Sequence, residues 1–383
     1  MIPYGRQNID ESDVQAVLEV LQSDFLTQGP KVPEFEFQIA NYVGAKCAVA
    51  TNSATSSLHL ACLALDVGPG DVVWTSPITF VASANCARYC GADVDFVDID
   101  PDTYNLCPSA LADKLRQAEQ VGRLPKVIIP VHFAGQSCDM QKIAALAKKY
   151  DIRVIEDASH AIGGRYQSEM IGDCRYSDIT VFSFHPVKII TTAEGGMAVT
   201  NNHDLAEKMT LLRSHGITRD QDLMTHDADG PWYYQQLDLG FNYRMTELQA
   251  ALGISQLKRL DQFISKRHRL AERYYQELKG LPFTLPMQST NTYSSWHLYV
   301  IRLQLDSINM SHKKAFETLR ENDVGVNLHY IPVHTQPYYK GLGFKWGDYP
   351  NAELYYQEAI TIPLFVEMSD IELNKVVRVL SQL

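Results

Sequence analysis

"VFSFHPVKIITTAEGG", residues Val181 to Gly196, decides how the rest of the chain is read. A β-type apolar run, Thr180-Val181-Phe182, leads through Ser183, Phe184 and His185 to a proline and one lysine, Lys188. Two threonines, an acid and a glycine pair follow. A flexible amine between an apolar strand and a glycine turn, with a hydroxyl five residues before it, has two readings. One is a solvated loop lysine. The other is a lysine whose amine does covalent chemistry.

Around this stretch lies a chain of 383 residues, long enough for a substantial core and for two domains or one large one. Apolar residues make up 45% and charged residues 21%, an ordinary globular composition. The 34 basic against 45 acidic residues give a net charge of -11, and lysine and arginine do not cluster, which disfavours nucleic acid as a partner. The start, "MIPYGRQNIDESDV", lacks a basic segment followed by an apolar one, so the expectation is a cytoplasmic protein without a secretory signal. No run approaches about 18 consecutive apolar residues, so no membrane span is expected. Cys47, Cys62, Cys86, Cys90, Cys107, Cys138 and Cys174 are scattered and odd in number, as reduced and mostly buried thiols would be. Cys86 and Cys90 have no matching pair downstream, which argues against zinc.

Short β-rich runs alternate with helical patterns over the first half of the chain. "KCAVAT" (46–51), "DVVWTS" (71–76), "DVDFVDI" (93–99), "KVIIPVH" (126–132), "IRVIED" (152–157) and "DITVFSF" (178–184) read as strands. "SSLHLACLALDVG" and "DMQKIAALAKKYD" between them repeat apolar residues every three to four positions. That alternation predicts an α/β fold with a largely parallel sheet covered on both faces. Ligands are expected at the carboxyl ends of its strands. After "GFNYRMTELQAALG" the pattern changes: Leu260, Ile264, Ala271, Tyr275 and Leu278 mark one face of a long helix that "KGLP" ends. We expect a large domain with an N-terminal arm over residues 1–255 and a smaller α/β domain over 256–383, with "HLYVIRL" as a strand of the latter.

Three further constellations bear on the lysine. "ATNSATSSLHLACLAL" (50–65) runs from a strand end through small hydroxyl residues into a helix, where backbone N–H groups attract a phosphate or Ser and Thr simply cap. It is neither a Walker loop nor a G-x-G-x-x-G fingerprint. "VIEDASHA" (154–161) ends a strand in two acids, with His160 three residues after Asp157. Asp157 either caps the next turn or holds a cationic ring nitrogen protonated. Phe80, just past a strand end in "SPITFVASANCA", is a core residue or a stacking platform for a flat cofactor. Together with a lysine and an upstream serine, these are the parts that pyridoxal 5'-phosphate needs: its phosphate on the helix start and Ser183, Asp157 at its pyridine nitrogen, Lys188 as nucleophile. Metal finds no third ligand.

The order of "NSATSS", "TF", "EDASHA", "SFHPVK…TTAEGG" and "GFNYRM" resembles the DegT/DnrJ/EryC1/StrS family of sugar aminotransferases, from "LTQGPKVPEFE" (26–36) to the last helix. The resemblance implies the aspartate-aminotransferase-like fold (fold type I), a Schiff base at Lys188, Asp157 at the pyridine nitrogen, Phe80 on the ring and Ala54, Thr55 and Ser183 on the phosphate. It also implies that His160 sits beside the ring and that Asn242 reaches the phosphate of the neighbouring subunit, so that a homodimer shares its active sites. "FSFHPVK", "FAGQSCDM" and "HYIPVHTQPYY" are most similar to the branch acting in pseudaminic acid biosynthesis. That branch transfers the amine of L-glutamate to C4 of a UDP-linked 4-keto-6-deoxy-N-acetylhexosamine, giving UDP-4-amino-4,6-dideoxy-N-acetyl-β-L-altrosamine. Ile189 stands where that branch has proline, and Ala193 where it has glycine.

Candidates for the sugar-nucleotide contacts are Tyr4 in "MIPYGRQ", the "LTQGP" loop, His185, Tyr243, and His329, Tyr330 and His334 in "LHYIPVHTQPYY". Alternatives are another 4-keto or 3-keto nucleotide sugar as acceptor, or a non-catalytic scaffold of the same fold. A sugar dehydratase would carry histidine in place of Lys188. An amino-acid aminotransferase would need a carboxylate-binding arginine in the second domain, where Arg302 is the nearest candidate.

Overall fold

A computed structural model of the chain describes residues 1–383. Its central sheet has seven strands: β1 (Cys47–Thr51), β2 (Val72–Thr75), β3 (Asp93–Phe96), β4 (Val127–Ile129), β5 (Arg153–Asp157), β6 (Ile179–Ser183) and β7 (Gly196–Thr200). Their order is β1-β7-β6-β5-β4-β2-β3. All six runs read as strands from the sequence are strands here. The seventh, β7, was not anticipated beyond the glycine turn, and it is the one antiparallel member, pairing with β6 and β1. Strands β2, β4, β6 and β7 are buried along their whole length, as expected of a sheet with helices on both faces.

The helix Ala54–Ala64 packs on this sheet and is apolar nearly all round, with Ser56 to Cys62 buried. Leu58 and Leu60, at 1% and 0% exposed, each contribute about 1.5–3 kcal/mol by leaving water. Its entry is set by Ser53, whose hydroxyl accepts from the Ser56 amide at 3.2 Å. Strand β7 begins directly against this entry. A Cβ on Gly196 would lie 2.5 Å from the Ala54 nitrogen and the Ser53 carbonyl carbon, so only glycine lets strand and helix start meet.

The long helix Leu260–Leu278 leads into the second unit, whose antiparallel sheet is β8 (Phe283–Thr284), β9 (Tyr299–Leu303) and β10 (Ala359–Ile362), ordered β8-β9-β10. The apolar face of that helix runs through Leu260, Ile264, Arg267, Ala271, Tyr274 and Leu278. The expected Tyr275 is 49% exposed and Tyr274 is fully buried. A 3.6-residue repeat carried over 18 positions drifts, and 274 rather than 275 falls under the sheet. The N-terminal arm attaches to this unit: the Gly325 amide donates to the Ile2 carbonyl at 2.7 Å, and Ile2 joins its core.

Gly196→Ala should therefore push β7 away from the helix entry. The expected loss is about 1–3 kcal/mol in urea unfolding, together with weaker pyridoxal phosphate binding; unchanged values would show that the two backbones part freely.

Candidate active site

Beyond Ser183 the chain loops out and returns at Gly196, and the loop is closed at its base. The Phe184 amide donates to Gly195 O at 2.9 Å, and the Phe184 carbonyl accepts from the Thr192 amide at 3.0 Å and the Thr191 hydroxyl at 2.9 Å. Ile189 and Ile190 sink into the core among Phe35, Phe184 and Met245. These two anchors pin the loop from below, and Lys188 lines a cavity of about 970 Å³ above it. Ala193 has φ of +65°; an L-residue in that region costs about 1–2 kcal/mol, which fits the glycine that the sequence resemblance implies at this position.

The cavity floor is the start of the helix Ala54–Ala64. Ser53, Ala54, Thr55 and Ser183 line it, and the first-turn amides of Ala54 and Thr55 have no partner within the helix. Asp157, at the carboxyl end of β5, lines the same cavity. One of its oxygens accepts from the Ser83 hydroxyl at 2.6 Å and the other from the Ser159 amide at 3.0 Å, so the carboxylate is held in one orientation. Phe80 is 58% exposed and lines the cavity instead of joining the core.

Lys188, Asp157, His160 and His329 share this space. Burial pulls the Lys188 amine down to about 8, with Asp157 opposing the shift. His160 is driven well below the ordinary imidazole value by burial, by Lys188 and by His329. His329 falls to about 3 for the same reasons, burial first and then Lys188. Both rings are therefore neutral at working pH. Tyr4 and His185 also line the cavity, and Tyr4 packs on the His329 ring with centroids 5.3 Å apart.

Of the expected residues, Ala54, Thr55, Phe80, Asp157, His160, Ser183, His185, Lys188, Tyr4, His329 and Tyr330 meet in this one cavity. Others do not. Asn242 is exposed and outside it, its carbonyl accepting from the Asn52 side chain at 3.4 Å. The Tyr243 hydroxyl bonds His59 Nδ1 at 3.2 Å and its ring stacks on Phe241. His334 is buried against Phe96 and Tyr349 and bonded to Glu353 at 2.9 Å, a packed residue and not a ligand contact. Arg302 pairs with Glu358 at 2.6 Å and is not free to hold a substrate carboxylate.

Two residues escaped the sequence reading. Ser83 fixes Asp157, and only its place three residues after Phe80, on the helix turn facing the strand end, hinted at it. His297 packs its ring on His160 with centroids 4.4 Å apart, and its buried Nδ1 lacks a partner. It precedes β9 in "SSWHLYV", and nothing in that run separates it from an ordinary core histidine.

The DegT/DnrJ/EryC1/StrS aminotransferase family profile matches residues 7–381. A Campylobacter jejuni protein named UDP-4-amino-4,6-dideoxy-N-acetyl-beta-L-altrosamine transaminase is 41% identical over 374 residues, 96% of this chain and 94% of that one. Among solved structures, a putative sugar aminotransferase from Streptococcus pneumoniae in its PMP-form superposes with a TM-score of 0.91 at 30% identity, covering 100% of this chain and 98% of that one. Helicobacter pylori PseC, an aminotransferase involved in the biosynthesis of pseudoaminic acid, does so with a TM-score of 0.90 at 32% identity over 100% and 98%.

Pyridoxal phosphate fits these residues. The unpartnered amides and the Gly196 notch suit a phosphate, the oriented Asp157 suits a protonated ring nitrogen, and the exposed face of Phe80 suits a flat ring.

The lowered Lys188 value has a measurable consequence. The unfolded chain keeps its amine at the ordinary 10.5 while the folded chain releases the proton near 8. Between those values the unfolded state binds more protons, so stability of the apo-protein rises with pH across that window. Urea midpoints from pH 7 to pH 10.5 should climb for the wild type relative to Lys188→Met. Parallel curves would mean an ordinary, solvated lysine.

Proposed function

The chain belongs to the DegT/DnrJ/EryC1/StrS aminotransferase family, and we propose that it transfers the amine of L-glutamate to C4 of a UDP-linked 4-keto-6-deoxy-N-acetylhexosamine. The product would be UDP-4-amino-4,6-dideoxy-N-acetyl-β-L-altrosamine, on the way to pseudaminic acid. The observation that carries this reading is a buried amine of lowered basicity, Lys188, sharing one cavity with an oriented carboxylate and a helix start. The names of the Campylobacter and Helicobacter relatives support the sugar.

Pyridoxal phosphate is the cofactor, and when bound it supplies an electron sink for the pair released at a broken C–H bond. The amides of Ala54 and Thr55, with the Ser183 hydroxyl, would hold its phosphate. Asp157, fixed by Ser83 and Ser159, would accept a hydrogen bond from its ring nitrogen and keep that nitrogen protonated. Phe80 would cover one ring face and His160 would lie beside it. The neutral Lys188 amine takes the proton from the donor's Cα. In the second half-reaction the same amine gives a proton to sugar C4 from the side on which it stands, which sets the stereochemistry. Tyr4, His185, His329 and Tyr330 form the wall available to the sugar.

The proposed assembly is a cytoplasmic homodimer in which Asn242 completes the neighbour's phosphate site. Its exposure outside its own cavity supports this, as do Trp232, Tyr234 and Leu239 nearby, at 72%, 50% and 77% exposed.

The purified protein should be yellow with pyridoxal phosphate, bleach with L-glutamate and regain colour with the UDP-4-keto sugar, while Lys188→Ala does none of these. A protein that takes up the coenzyme but keeps its absorbance in glutamate would refute an aminotransferase reaction with that donor. Mixing inactive Lys188→Ala with inactive Asn242→Asp should restore about a quarter of the wild-type sites, because half of the randomly exchanged dimers carry one intact site. No recovery after proven subunit exchange would place Asn242 outside the shared site.

A further inference from the structure

His160 has only one tautomer that satisfies its surroundings. The Ala134 amide donates to its Nδ1 at 3.3 Å, so Nδ1 carries no proton and Nε2 must. Nε2 lies 3.0 Å from the Tyr330 hydroxyl oxygen and therefore donates to it. This geometry is held from behind: the Ser295 hydroxyl donates to the His160 carbonyl at 2.7 Å, and the His297 ring packs on the imidazole. The Tyr330 oxygen is thus already an acceptor, and its own O–H has no acceptor in the protein. Tyr330 lines the cavity with Lys188. Burial, with the nearby Asp157 charge, raises its phenol far above the ordinary value, so the proton is present at every working pH.

From this arrangement we propose that Tyr330 is a catalytic proton donor of the sugar half-reaction, its O–H turned by His160 toward the keto oxygen on C4. The role rests on the function proposed above. When an amine adds to C4, its lone pair forms the N–C bond and the C–O π pair moves onto oxygen, which takes the phenol proton. The nitrogen passes one proton to the Lys188 amine, which delivers it to the same oxygen as the C–O bond breaks and water leaves. The second nitrogen proton replaces the one Tyr330 gave. The departing water thus carries one proton from Tyr330 and one from the amine, the second amine proton restores the phenol, and the protein ends as it began. The glutamate half-reaction begins with no ketone and makes no such demand on the phenol until its product leaves.

The test is rapid mixing of the holoenzyme and its Tyr330→Phe variant in each half separately. The bleaching rate with L-glutamate should stay close to wild type. Recovery of colour with the UDP-4-keto-6-deoxy-N-acetylhexosamine should slow by about 100- to 1,000-fold, the usual effect of deleting one donor to a developing oxyanion. Equal losses in both halves, or an unaffected sugar half, overturn the role. If Tyr330→Phe misfolds, His160→Gln, which keeps an N–H donor, should retain more of the sugar half than His160→Leu; equal rates for the two overturn it as well. A wild-type enzyme that bleaches with glutamate but never recovers with this sugar overturns the substrate reading, and the role falls with it.

Discussion

Two backbones meet where Gly196 lies against Ser53 and Ala54, with no room for a side chain between them. On one side is the helix start that offers free amides; on the other is β7, the antiparallel strand that closes the Lys188 loop. Their contact brings the free amides of the helix start within the same few residues as the amine. Because β7 is inserted between β1 and β6, the loop before it must turn back over the carboxyl end of the sheet. Asp157 ends the neighbouring strand β5 at that same edge. Strand order and one missing Cβ thus set the distances on which the proposed chemistry depends.

The electrostatics follow from how dry that edge is. Lys188, His160, His297 and His329 lie close enough to act on one another, Asp157 offsets the shift of the amine alone, and desolvation dominates the amine and all three rings. Each positive charge would raise the cost of the next, so the imidazoles stay neutral and the amine loses its proton more readily than a surface lysine. A neutral His160 can be a directed donor, and a directed donor can aim a neighbouring phenol. Arg267 on the long helix contributes to this without reaching the cavity: it holds the carbonyls of Trp296, His297 and Leu364, and so fixes the segment that backs His160.

Much of this was legible in the residues. The six parallel strands announced themselves as short β-rich runs between helical patterns, and Lys188, Asp157, Phe80 and the helix start were visible as strand-end chemistry. What failed to show was anything depending on a neighbour distant in sequence. Strand β7 is five residues of "GMAVT" behind a glycine pair, too short to separate from a turn until its pairing with β1 and β6 is seen. Tyr274 and Tyr275 are equivalent by composition, and only the accumulated helical phase buries the first. His334 reads like His329 in the same segment; one faces the cavity and the other is spent on Glu353 because the chain turns between them.

By itself the sequence determined the α/β class, the order of the strand-end residues and the lysine proposed for covalent chemistry, since those depend on local pattern and side-chain type. Only the tertiary structure decided which groups share a cavity, how Asp157 and His160 are oriented, and how far the Lys188 amine is shifted. Those are set by burial and by hydrogen bonds from Ser83, Ala134 and Ser295, residues whose relevance is a matter of distance in space and leaves no mark on the spacing along the chain.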